Sequence, residues 1–95
     1  MSGNNKMQII SIKEFNHKSV LTISGNNGEL IRKIDLIQGN EYILNPLNPN
    51  KLKNRDRKVI YMKTENNKRG IYGKVKYLDT SRPGKVEISD LDTML

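Results

Sequence analysis

The sequence predicts an all-β domain, and three observations carry that prediction. The core material is almost entirely Ile, Leu and Val, with no Trp, one Phe and four Tyr in 95 residues, which favours thin, strand-built packing. Short β-branched runs alternate with clusters of Gly, Asn, Asp, Ser and Pro. The last hairpin is written out plainly, with Asp79-Thr80-Ser81-Arg82-Pro83-Gly84 between two alternating segments.

Residues 1–6 are polar and are expected to form a disordered tail. Residues 7–14 and 18–24 read as a strand pair separated by Phe15-Asn16-His17. Ser24-Gly25-Asn26-Asn27-Gly28 tolerates positive φ and reverses the chain into 29–37. That third segment is ambiguous. Leu30, Arg32, Ile34 and Leu36 alternate as a strand, whereas Leu30, Ile31, Ile34 and Ile37 form a helical stripe with Gly39 as its C-terminal cap. Its short length and the hairpin chemistry on either side favour strand.

A brief strand is expected at 41–45. An irregular loop through Pro46 and Pro49 follows, since proline lacks the amide donor that a central strand needs. Strands are expected again at 57–63, 72–78 and 85–88, with a polar turn at 65–70. Val86 and Ile88 should face inward and Lys85 and Glu87 outward. Ser89-Asp90-Leu91 reads as a tight turn that places Leu91 as a plug.

This order resembles an SH3-like small barrel of the KOW and Tudor-like type. The resemblance rests on Gly39-Asn40-Glu41-Tyr42, on Gly73-Lys74-Val75-Lys76-Tyr77-Leu78-Asp79, and on Gly84-Lys85-Val86-Glu87-Ile88-Ser89-Asp90-Leu91. It implies an SH3-like β domain over 7–95, with a barrel over 39–95 and an N-terminal β-strand extension over 7–38. It also implies a non-catalytic binding module, because many such barrels bind nucleic acid, peptides or proteins. Fold alone does not choose among those ligands.

Charge narrows the choice. Lys and Arg number 17 against 10 Asp and Glu, a formal net charge of +7. Residues 1–50 are nearly neutral, with five cations against four anions. The segment 51–76 is strongly basic: Lys51, Lys53, Arg55, Arg57, Lys58, Lys63, Lys68, Arg69, Lys74 and Lys76 face only Asp56 and Glu65. Such a cluster neutralises phosphates and gives sequence-independent, salt-sensitive affinity, and Asn48, Asn50 and Asn54 can add hydrogen bonds. Tyr72, on the same strand face as Lys74 and Lys76, offers a ring for base stacking. The expected partner is nucleic acid, RNA or DNA. The alternative is an acidic protein surface met by an accessory factor or inhibitor, and the plainest reading of the same charges is a solvated face.

Enzymatic chemistry is not expected. There is no Cys and one histidine, His17, so neither a thiolate zinc site nor a nucleophile paired with imidazole is available. Asp79, Glu87, Asp90 and Asp92 fit turns and strand surface better than a carboxylate site. No cofactor is expected. No stretch approaches the roughly 20 apolar residues that span a bilayer, so the expectation is a cytoplasmic protein without a membrane partner. The abundance of Asn, Lys and Ile suggests an AT-rich coding sequence of bacterial or mobile-element type. The chain is expected to be a monomer, or a homodimer through exposed edge strands.

Overall fold

A computed structural model describes residues 8–94. The tail expected over 1–6 lies outside the described residues. Eight strands follow one another: β1 Ile9–Glu14, β2 Lys18–Ser24, β3 Leu30–Ile37, β4 Glu41–Leu44, β5 Lys58–Asn67, β6 Gly70–Tyr77, β7 Pro83–Glu87 and β8 Leu91–Asp92. A 3-10 turn, Ile88–Asp90, joins the last two, and no α-helix occurs among the described residues.

The ambiguous third segment is strand, and its burial shows why. Arg32, Ile34 and Leu36 are buried while Lys33, Asp35 and Ile37 are exposed, a period of two that a helix cannot produce. Strands β1, β2 and β3 form an antiparallel meander. The other five form an antiparallel sheet in the order β7-β6-β5-β4-β8.

The core lies where the two sheets meet. Leu21 and Ile23 of β2 and Ile34 and Leu36 of β3 join Tyr42, Leu44, Val59, Tyr61, Val75, Val86, Ile88 and Leu91 in one buried cluster. Leu91 and Ile88 are essentially inaccessible, so the short turn drives two aliphatic plugs into the end of the sheet. Tyr42 and Tyr61 supply the aromatic bulk, meeting edge to face with centroids 6.3 Å apart. The Tyr42 hydroxyl donates to the Asp35 carbonyl at 2.6 Å and accepts from the Ile37 amide at 2.7 Å, which ties β4 to β3. Gly39, at φ 90°, makes the corner between the sheets, and its amide donates to the Tyr61 carbonyl at 2.8 Å.

Expected boundaries move at β5, β6 and β7. β5 does not stop at 63 but runs to Asn67, so the turn expected at 65–70 shrinks to Lys68-Arg69 before Gly70. The extension becomes possible because the register shifts between Tyr61 and Lys63, leaving Met62 as the extra residue of a bulge. β7 begins at Pro83 instead of 85; as the first residue of a strand at the sheet edge, proline loses no ladder hydrogen bond.

Candidate nucleic-acid interface

The ten cations of 51–76 fall into distinct environments. Three cations of the loop between β4 and β5 are spent on hydrogen bonds within the loop or to the segments packed against it. Lys51 Nζ reaches Glu87 at 2.5 Å and Asp90 at 2.6 Å. Burial pulls its pKa down, but the hydrogen bonds to Asp90 and Glu87 outweigh that and hold it above its ordinary value. Arg55 donates to the carbonyls of Asn48 and Lys51 and to the Asn45 side chain. Arg57 donates to Asn54 at 2.7 Å and to Asp79 at 2.8 Å, and its guanidinium lies 4.0 Å from the Tyr77 ring centroid. The Arg57 hydrogen bond lowers the Asp79 pKa and Asp79 in turn raises that of Arg57.

The side chains of Asn48 and Asn54 are likewise engaged. Asn48 Oδ1 accepts from the Asn50 amide, and Asn54 Oδ1 accepts from Arg57. Asn54 and Asp56 stand at φ 64° and 70°, a left-handed conformation that Asn and Asp tolerate better than most residues. Only Lys53 of the loop cations is exposed and makes no ion pair among the described residues.

The outer face of β5-β6-β7 is different. In the pairing register Lys63 stands opposite Lys74, and Lys74 opposite Lys85. Three lysines therefore cross three neighbouring strands in one row. Lys76 continues the face two residues along β6, opposite Ile60 and Pro83, and Lys58 lies at its β4 side. All five lysines are exposed. Among the described residues the only anion bridging the row is Glu65, 3.4 Å from Lys85 and 3.9 Å from Lys74, a loose arrangement between half-exposed groups.

The next row is Glu65, Tyr72 and Glu87. Tyr72 is partly exposed, and the Lys85 ammonium lies 5.4 Å from its ring centroid. Lys68 and Arg69 form the exposed tip of the β5–β6 hairpin. Of the sequence-predicted residues, Lys58, Lys63, Tyr72, Lys74 and Lys76 thus share one face. Lys68 and Arg69 lie at its far end, while Lys51, Arg55 and Arg57 serve the loop.

Two residues were missed by sequence reasoning. Lys85 completes the lysine row, and its signal was the alternation Lys85-Val86-Glu87, which turned it outward, together with its pairing to Lys74. Arg32 is buried within the fold, its guanidinium donating to the carbonyls of Ser89, Leu91 and Asn45 and lying 3.3 Å from Asp92. Burial lowers its pKa despite Asp92 and Asp90. No helix among the described residues is long and apolar enough to cross a membrane. Comparison with models of protein families, with curated proteins and with solved structures finds no match for this chain.

Proposed function

We propose that this chain is a non-catalytic binding module of the SH3-like kind that takes nucleic acid on the outer face of β5-β6-β7. The strand order β7-β6-β5-β4-β8 supports the barrel reading, as does the single turn that plugs Ile88 and Leu91 into the core before the last strand. The observation that carries the ligand is the row Lys63, Lys74 and Lys85. Like charges directly opposite one another destabilise a sheet, so three lysines abreast cost stability that a bound polyanion would return.

The test is binding of labelled single-stranded and duplex oligonucleotides across a salt series. Affinity should fall linearly on logarithmic axes, and each lysine of the row changed to Gln should reduce the slope by about 0.7 to 0.9. A flat salt response, or no binding to RNA or DNA, removes the proposal. Recovery of a nuclease-resistant protein in its place would favour the acidic-protein alternative.

A further inference from the structure

We infer that the strand bound here is single, with phosphates along Lys63, Lys74 and Lys85 and a base stacked on Tyr72; this deepens the nucleic-acid reading and rests on it. The two rows are one two-residue step apart on the same face, a separation of roughly 6.8 Å along antiparallel strands. One row is cationic. The other holds an aromatic ring between two carboxylates, Glu65 and Glu87.

Their chemistry differs as the two sides of a nucleotide chain differ. A phosphate backbone is drawn to the three lysines, which outnumber the one carboxylate bridging them, so the lysine row is the line it follows on this surface. A base extended from that backbone meets the Tyr72 ring once the Lys85 ammonium, 5.4 Å from its centroid, turns to a phosphate, and the base's amino groups meet carboxylates that accept from them. The Lys51 ammonium, 2.5 Å from Glu87, holds one of those carboxylates in place while leaving it further acceptor sites. A duplex cannot use the second row. Its bases are stacked inside and offer no face to the ring.

The experiment compares the full chain with Tyr72→Leu and Tyr72→Phe, using a labelled oligodeoxycytidine and a duplex of equal length, with tyrosine emission as a second readout. The unaltered chain should prefer the single strand and lose tyrosine emission on binding it. Tyr72→Leu should weaken single-strand binding on the order of tenfold and leave duplex binding unchanged, whereas Tyr72→Phe retains affinity. Circular dichroism of each variant guards against misfolding, and Tyr72→Phe keeps the ring if Leu disturbs the strand. Equal or tighter duplex binding, or full single-strand affinity in Tyr72→Leu, overturns the inference. If Lys74→Gln still weakens binding in that case, the nucleic-acid reading stands without it; if no oligonucleotide binds at all, both fall.

Discussion

The guanidinium of Arg32, on the middle of β3, donates from Nη1 to the main-chain carbonyl of Ser89 at 2.8 Å, across the join between the two sheets. The same group reaches the carbonyls of Leu91 and Asn45, so one side chain fastens the first sheet to both the loop after β4 and the strand that closes the second. A planar fork suits this task, because three acceptors lie around it in fixed directions.

Replacing Arg32 by Ala should therefore destabilise the fold by about 3 to 5 kcal/mol, since it leaves the carbonyls of Ser89, Leu91 and Asn45 without the guanidinium donor and Asp92 without its counter-charge. Arg32→Lys should recover little of that loss, because an ammonium on a flexible stem cannot satisfy the same set. Urea denaturation of the three proteins checks both statements; equal midpoints for Lys and Arg would show that the fork is unimportant.

Arg32 also shows what a sequence can and cannot disclose. Alternation in 30–36 was legible and marked this side chain as inward, but an inward arginine makes sense only once acceptors from residues 45, 89 and 91 are known. The lysine row was hidden for a different reason. Simple alternation from Val59 and Tyr61 would turn Lys63 into the core, and only the bulge at Met62 reverses the parity and sets Lys63 beside Lys74. Lys51 is a third case. Its partners, Glu87 and Asp90, are 36 and 39 residues away, so a charge count over 51–76 treats as available a cation that the fold has already neutralised.

Gly84 permits the close approach of Tyr77. A methyl group built at Gly84 runs into Cε2 of that ring, which is itself fixed by the Arg57 guanidinium. Gly84→Ala should cost about 1 to 3 kcal/mol, the usual penalty of overpacking. Combining it with Tyr77→Leu should be less damaging than the two separate effects added together. A thermal-denaturation double-mutant cycle measures this coupling, and strict additivity would refute the steric account.

Stability should fall at both ends of the pH scale for identifiable reasons. Tyr42 is held above its ordinary value of 10.0, chiefly by burial, and Lys51 above its ordinary 10.5 despite burial. In each case the folded state keeps a proton that the unfolded chain has begun to release, so stability is full below pH 10 and declines as the pH climbs through the folded values. Asp79 is shifted the other way by Arg57, and its small, solvent-screened share is present above 3.8 and lost as the pH drops through its lowered value. Lys51→Met should reduce the alkaline sensitivity, and Asp79→Asn the acid one. Denaturation midpoints recorded from acid to alkaline pH test the signs; greater stability above pH 10 would contradict them.

Lys74, the centre of the lysine row, separates stability from binding. It has a like charge opposite it on both neighbouring strands and, among the described residues, only Glu65 at 3.9 Å as relief. Lys74→Thr removes two repulsions and introduces a β-branched residue suited to a pleated surface, so it should raise stability by about 0.2 to 1 kcal/mol. The same change should weaken oligonucleotide binding and reduce its salt slope. A solvated face retained merely for solubility would respond differently, gaining stability with no loss of affinity. Parallel urea and anisotropy titrations of this one variant therefore decide whether the row is a binding device or surface charge alone.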